Sequence, residues 1–518
     1  MTGHPPISYP DRPLHHFLED AADAAPERAA VSDDDRTLSF REVDQAANAL
    51  AHALGAAGIG PGDRVAVALP TGIDLVVTLF AVSKAGAAAV LTNPRWTADE
   101  MRGALTTTTP RGLIAHEPLP LAPTALPPLL LHAGGRVATG WRPLVDAAAG
   151  QPRTRPAVPV AAWGPLEAVL PFSSGTTGLP KAAVHTHSTI VPATLQWVVA
   201  GAMRPSDRML LFLPGFHVYG VITAAGAFAA RAHLRLQERF DVAAVLDCIE
   251  QEAITLTFGA APVALALDGV PDLEKRDLSS LRYVSWGATP MDVALARRVS
   301  HRSGIRWLHA YGATEAPLLF CNPAAAPPHT WRLDCPGLPV SDTQVRIVDL
   351  ATREPCGPGE PGEVLVRGPQ VFRGYLPPVP EQEVFEDGWL RTGDVGLLDE
   401  SGALHLVERA KEMIKVNAFQ VAPAELERLL MSHPAVADCG VFGVPDPRTG
   451  ETPVAAVVLR EDTAPEDLLA WVGERVATYK RITAVHRTAT IPRTPSGKLL
   501  RRELRAGWLA DHAREGSR

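Results

Sequence analysis

The sequence predicts an α/β fold on three observations: short apolar runs bounded by turn residues recur along the chain, helix-like stretches separate them, and glycine and proline punctuate this alternation without forming tracts. Residues 64–70 (RVAVALP), 87–93 (AAAVLTN), 208–214 (RMLLFLP), 281–287 (LRYVSWG) and 307–312 (WLHAYG) read as strands, because unbroken apolar runs of this length suit strands covered on both faces. Residues 41–58 between two such runs have the apolar spacing of an amphipathic helix. The alternation therefore places largely parallel sheets between helical layers. From about 336 to 408 the pattern changes to short strands split by Gly and Pro turns (TQVRIVDL, GEVLVRG, ALHLVER), which read as a small β subdomain. After residue 410 a compact α+β pattern begins, with a helix from Pro423, strands near 436–442 and 453–460, and a helix over 465–477. That region is long enough to be a domain of its own. Residues 121–158, rich in Pro, Ala and Leu, read as a loose connection.

A length of 518 residues exceeds one comfortable core, and 46% apolar residues supply enough surface to bury in two or more domains. The net charge of −8 argues against a nucleic-acid partner, since neutralising phosphates needs clustered positive charge. The five cysteines are scattered and lack C-x-x-C spacing, so neither a disulfide framework nor a zinc site is expected. The most apolar early stretch lies between Asp74 and Lys84, too short for a membrane span, and no basic region precedes an apolar core at the N-terminus. The expectation is a cytoplasmic protein with no membrane span. Of 49 basic residues only seven are lysines: Lys84, Lys181, Lys275, Lys411, Lys415, Lys480 and Lys498. Where arginine supplies the ordinary positive charge, each lysine becomes a candidate for a compact ammonium on a flexible stem.

FSSGTTGLPKAA, residues 172–183, is the densest chemical signal. Ser, Thr and Gly in close succession leave backbone amides free to wrap an anion, the hydroxyls of Ser173, Ser174, Thr176 and Thr177 add donors, and Lys181 adds charge. The string is not a Walker motif, because Pro180 stands before Lys181 and no Ser or Thr follows it. On composition alone it reads either as a phosphate-binding loop or as an ordinary Gly/Thr turn.

The same string, SSGTTGLPK, resembles the signature of the adenylate-forming superfamily, and further blocks follow in that family's order: LPGFHVYG (213–220), SWGATP (285–290), YGATEA (311–316), TGD (392–394), ERAKEMIKVNAFQVAPAELE (408–427) and PRTPSGKLLRREL (492–504). The resemblance runs from about Leu38 to Arg502 and is to the 4-coumarate and aryl or fatty acyl-CoA ligase branch. It implies a large N-terminal domain of layered α/β sheets over 1–410, carrying a β-barrel-like subdomain at 336–408, and a small mobile α+β domain over 411–518. It also implies activation of a carboxylic acid by ATP to acyl-AMP with release of pyrophosphate, followed by acyl transfer to CoA. By resemblance, Ser173, Ser174, Gly175, Thr176, Thr177, Gly178 and Lys181 surround phosphates, and Gly287, Ala288, Thr289, Tyr311 and Gly312 hold adenine. Thr314 donates to the α-phosphate, Glu315 ligates Mg²⁺, and Asp394 with Arg409 holds the ribose. Lys498 bridges the attacking carboxylate and the α-phosphate as the catalytic lysine, and Lys411 is the hinge. The chemistry asks for such groups, since charge builds on non-bridging oxygens and on the leaving group. Read from composition only, Glu315 also fits a structural carboxylate, Asp394 a turn cap, Lys411 a surface lysine and the segment around Lys498 a solvated basic face.

The acid pocket is expected from His217, Tyr219, Gly259, Ala260 and Ala310, whose small members leave room for a bulky apolar or aromatic acid. No Asp stands where amino-acid-activating relatives hold an α-amine. Four positions depart from the family pattern. Asn417 and Ala418, after the thiolation lysine Lys415, replace one or two glycines, so an adenylation-only enzyme that passes its acyl group to a separate acceptor protein is the alternative. Trp286 stands where relatives often carry a small residue, and Glu408, where Gly or Asp is common, is expected to be without consequence.

Overall fold

The computed structural model describes residues 3–515 except 137, 174–180, 290, 417–418, 447 and 494–498. The chain divides into two compact units, Met1–Gln344 with Val366–Leu390, and Val345–Leu365 with Arg391–Arg518.

Two large sheets form the first unit, of nine and eight strands among the described residues. Both are parallel through their centres and antiparallel at one or both edges. All five apolar runs form strands: Arg64–Ala68, Ala88–Leu91, Arg208–Leu211, Tyr283–Trp286 and Trp307–Ala313. Helix Phe40–Ala56 follows the expected amphipathic segment, started by a capping box in which Ser39 accepts from the Glu42 amide. The largest core cluster joins Val65, Val67 and Val169 of one sheet to Met209, Leu211 and Leu256 of the other through Phe80, Trp197 and Phe228 of intervening helices. This is the layered order that the alternation of elements requires.

The stretch read as a loose connection is partly regular. Strands Leu129–His132 and Arg142–Pro143 extend the eight-stranded sheet, and a short helix, Leu144–Ala148, follows. Leu129 to Leu131 pair in parallel with Gly112 to Ile114, so an edge already in place supplies the order that local composition does not. The C-terminal strands are longer than expected, Val436–Asp446 and Gly450–Leu459, because they form one continuous antiparallel ladder. Helix Pro465–Gly473 stops before the expected end.

In chain order, the elements used below are helix α1 (Ile73–Lys84), strands β1 (Glu167–Ser173) and β2 (Lys181–Thr186), helix α2 (Val218–Ala229), strands β3 (Leu256–Gly259), β4 (Tyr283–Trp286), β5 (Trp307–Ala313), β6 (Ala316–Cys321), β7 (Gly374–Leu376), β8 (Trp389–Leu398), β9 (Leu404–Arg409), β10 (Ile414–Val416) and β11 (Phe419–Val421), and helices α3 (Pro423–Met431) and α4 (Arg501–Glu515).

α1 is the apolar stretch between Asp74 and Lys84, and Ile73 and Leu75 to Lys84 are all buried in the middle layer. Lys84 closes it with 1% of its side chain exposed, its ammonium 2.5 Å from Glu19 and 2.8 Å from Asp44. A buried charge of this kind is tolerable only when paired, and this explains one lysine for which the motifs have no use. Lys84→Met leaves Glu19 and Asp44 only the partly exposed Arg155, 3.6 and 3.3 Å away, as cation and is expected to destabilise the first unit by about 3 kcal/mol, the low end for a broken buried pair, read from denaturant unfolding; a loss below about 1 kcal/mol contradicts the pairing argument.

His185, His187 and His309 are buried, and desolvation holds each near a pKa of about 4. An unfolded histidine titrates near 6.5, so between those values the unfolded chain binds protons that the folded chain excludes. Stability is therefore full above about pH 6.5 and declines as pH falls towards 4. The melting temperature should be flat from pH 7 to 8 and drop between pH 6.5 and 5; a rise on acidification over that interval contradicts the assignment.

Candidate active site

The carboxyl ends of the parallel strands of the nine-stranded sheet lie side by side, where open α/β sheets place ligands. From β3 come Gly259 and Ala260, from β4 the turn 287–289, and from β5 Ala310 to Ala313. Strand Arg208–Leu211 leads into LPGFHVYG at the same edge. His217 occupies the N-cap of α2. Its side chain is exposed yet crowded by surrounding protein, and the resulting desolvation lowers its pKa and favours the neutral ring.

Tyr219, two residues on, donates a 2.8 Å hydrogen bond to Ser285 Oγ of β4, and burial raises its pKa. A methyl group at Gly287 would come within 3.3 Å of the Tyr219 ring, so glycine lets that ring lie against the turn. Gly287 also donates its amide to the Gly259 carbonyl at 3.1 Å, which joins the ends of β3 and β4. Ala288 has a left-handed backbone, φ 64°, an unusual cost for a residue with a Cβ. Thr289 stabilises the turn: its Oγ1 accepts the Ala261 amide at 2.9 Å and its carbonyl accepts the Trp286 indole N–H at 3.1 Å. Trp286 is fully buried beside Trp307; it fills core and holds the turn from below.

β5 and β6 form a hairpin whose register shifts between Tyr311 and Ala313. A methyl group at Gly312 would run into the Pro317 carbonyl, which explains the glycine at the bulge. Thr314 and Glu315 link the paired residues Ala313 and Ala316. Three groups from the eight-stranded sheet and its approach hold this link. The buried His185 donates from Nε2 to the Thr314 carbonyl at 2.8 Å, the Phe372 amide donates to the Glu315 carbonyl at 2.8 Å, and the Tyr375 hydroxyl donates to Glu315 Oε1. Glu315 has no cationic side-chain partner among the described residues, and its carboxylate oxygens are the hard ligands that Mg²⁺ takes. The donor chemistry therefore fits the implied metal.

β1 and β2 pair antiparallel, with Ser173 opposite Lys181. These two residues bracket the Gly/Thr loop; Ser174, Gly175, Thr176, Thr177 and Gly178 lie outside the described residues. The Lys181 ammonium stands 5.7 Å from the centroid of the Tyr375 ring. Sequence reasoning missed His185 and Tyr375, since neither stands at a position singled out in a motif.

In the second unit, Asp394 of β8 and Arg409 of β9 are register partners and form a 2.7 Å ion pair. Arg409 also donates to the Thr392 carbonyl at 3.3 Å. The two residues assigned to the ribose are thus brought together. Lys411 is exposed in the turn between β9 and β10, where the Glu412 amide donates to the Arg409 carbonyl at 2.9 Å. Lys415 is exposed on β10, opposite Gln420 of β11. Asn417, Ala418 and Lys498 lie outside the described residues. Glu408 is not inconsequential: its carboxylate is 6% exposed, lies 3.3 Å from Arg501 of α4 and accepts the Ala424 amide at 2.9 Å. Arg501 also pairs with Glu412 and, at 2.8 Å, with Glu427. Burial raises the Glu408 pKa, against the opposing pull of Arg501.

No helix among the described residues is long and apolar enough to cross a membrane. The family profile of AMP-binding enzymes matches residues 18–376, and that of the AMP-binding enzyme C-terminal domain matches 425–498. The chain is 33% identical to 4-coumarate–CoA ligase 5 of Oryza sativa subsp. japonica over 97% of its own length and 96% of that protein. It is 35% identical to feruloyl-CoA synthase of Amycolatopsis sp, covering 93% and 96% respectively. The solved structure of the anthranilate CoA ligase AuaEII with anthranoyl-AMP superposes with a TM-score of 0.87 at 27% identity, covering 98% of both chains. The chain belongs to the AMP-binding enzymes, in the acyl-CoA synthetase branch of the adenylate-forming superfamily, and its class is acid–CoA ligase.

Proposed function

We propose that this enzyme converts an aromatic carboxylic acid to its CoA thioester through an acyl-adenylate. The observation that carries the reading is the Thr314–Glu315 link, held by His185 from the strand on which Lys181 ends the phosphate loop and by Tyr375 from the strand beside it. In the first step a carboxylate oxygen of the acid attacks the α-phosphorus of ATP and pyrophosphate leaves. Lys181, Thr314 and the loop 173–178 hold the phosphates, Gly287, Ala288, Thr289, Tyr311 and Gly312 receive adenine, and Asp394 with Arg409 binds the ribose. Glu315 would hold Mg²⁺, which when bound would neutralise charge on the phosphate oxygens. Lys498 bridges the acid and the α-phosphate. His217, kept neutral, stands at the carboxylate end of a pocket walled by Tyr219, Gly259, Ala260 and Ala310. The aromatic face of Tyr219 and the small residues beside it suit a flat ring, in keeping with the coumarate, ferulate and anthranilate in the names of its relatives.

In the second step the CoA sulfur attacks the acyl carbonyl and AMP leaves. Lys411 serves as the hinge between 1–410 and 411–518, and Lys415 enters the site for this step. Asn417 and Ala418 favour a second reading, in which thioester formation is slow and acyl-AMP passes to another acceptor.

Pyrophosphate release measured across aromatic, aliphatic and polycyclic acids, with and without CoA, is expected to single out aromatic acids and to yield thioester when CoA is present. Release independent of acid structure contradicts the pocket assignment. Acyl-AMP accumulation relieved by Ala418→Gly would favour the second reading, and equal thioester rates in both forms exclude obstruction by Ala418. Lys498→Ala is expected to lower acid-dependent pyrophosphate exchange by about 10²–10³-fold while sparing consumption of supplied acyl-AMP; unchanged exchange refutes its role.

A further inference from the structure

We propose that Tyr375 is a positioning residue that sets the geometry of Glu315 for the metal–nucleotide complex and, with the face of its ring, steadies Lys181. The inference rests on the reading above, in which Glu315 is the metal-binding carboxylate. β7 adds to the edge of β2 with Tyr375 opposite Ala183. Lys181 and Ala183 share one face of β2, because side chains alternate along a strand. Tyr375 is therefore the diagonal cross-strand neighbour of Lys181, a separation that aromatic and long side chains bridge. The observed 5.7 Å from ammonium to ring centroid is within cation–π range. The hydroxyl at the far end of the same ring donates to Glu315 Oε1. One side chain thus touches both the cation at the exit of the phosphate loop and the carboxylate opposite it. Phe372 fixes the ring from the side, edge to face at 4.8 Å, while its amide holds the Glu315 carbonyl.

This arrangement restricts the Glu315 rotamers without neutralising its charge. A neighbouring arginine would compete with a metal ion for the carboxylate; a phenol donates one hydrogen bond and leaves the charge in place. Tyr375→Phe removes only the hydroxyl and preserves the ring against Lys181 and Phe372. Calorimetric titration with ATP, with and without Mg²⁺, reads the effect apart from turnover. The expected result is unchanged binding of metal-free ATP and Mg²⁺-dependent tightening weakened by about 10–100-fold, the scale of one hydrogen bond to a charged group. In pyrophosphate exchange the Mg²⁺ concentration for half-maximal rate should rise, while KM for the acid stays constant.

Glu315→Gln separates the two claims. If it leaves Mg²⁺-dependent tightening intact, Glu315 is not the metal ligand and the underlying reading fails with this inference. If it abolishes the tightening and Tyr375→Phe matches wild type, Tyr375 has no positioning role. Should Tyr375→Phe not fold, Glu315→Asp withdraws the carboxylate from the hydroxyl by one methylene while keeping a metal ligand, and the same weakening is expected; wild-type tightening in that variant overturns the proposal.

Discussion

The hydrogen bond from His185 to the Thr314 carbonyl is the constraint on which the site depends. The imidazole is wholly buried and its desolvation keeps it neutral, so its Nε2 proton must find a fixed acceptor. The acceptor is backbone at the tip of a hairpin on the other large sheet, so satisfying one buried donor also sets the spacing between the sheets. Lys181 lies four residues before His185 on the same face of β2, and Glu315 follows Thr314. A single strand therefore carries both the end of the Gly/Thr segment and the anchor of the link that bears Glu315. The contact acts through the register of β2, and a one-residue slip would turn Lys181, Ala183 and His185 away together.

The rest of the pocket is held from the core. Trp286 is fully buried, its indole fixes the Thr289 carbonyl, and the Thr289 hydroxyl then accepts the Ala261 amide at the start of the helix Ala261–Asp268 that follows β3. Between these anchors, Ala288 holds a left-handed conformation. A strained residue survives where its neighbours over-determine the backbone, and such positions gather at binding sites. The turn 287–289, proposed to receive adenine, thus rests on the same packed tryptophans that fill the core beneath the sheet.

Much of this could be read in the sequence, and the exceptions share a cause. The apolar runs became strands because runs of that length and composition have few other uses, and the Gly/Thr loop with its lysine announces anion binding. Strand Leu129–His132 escaped notice because its order comes from a partner strand already present. Tyr375 and His185 escaped because their significance arises from pairing between residues far apart in sequence; GYL and AVH are unremarkable strings. Lys84 passed the lysine filter for a different reason than the others: its buried ammonium pairs with the carboxylates of Asp44 and Glu19. The filter detects positions where arginine will not serve, and chemistry is only one cause of that.

Glu408 shows how a departure from a family pattern can gain meaning from a distant partner. Arg501 binds Glu408 and Glu412, which flank Lys411, and also Glu427 of α3. Arg501 begins α4, three residues after Lys498 in sequence, so the same guanidinium links the proposed hinge turn to the helix that follows the proposed catalytic lysine. A rotation about Lys411, the proposed hinge, would keep Glu412 and Glu427 with Arg501, since all three lie on its C-terminal side, and would part Glu408 from it. Glu408 is buried and its pKa is raised by that burial, so its separation from Arg501 costs more than breaking an exposed pair unless water reaches both groups. Where a relative carries glycine before the motif arginine, this restraint does not exist. With Lys411 as the proposed hinge, the balance between adenylating and thioester-forming arrangements would depend on Glu408 as well as on Lys415 and its neighbours.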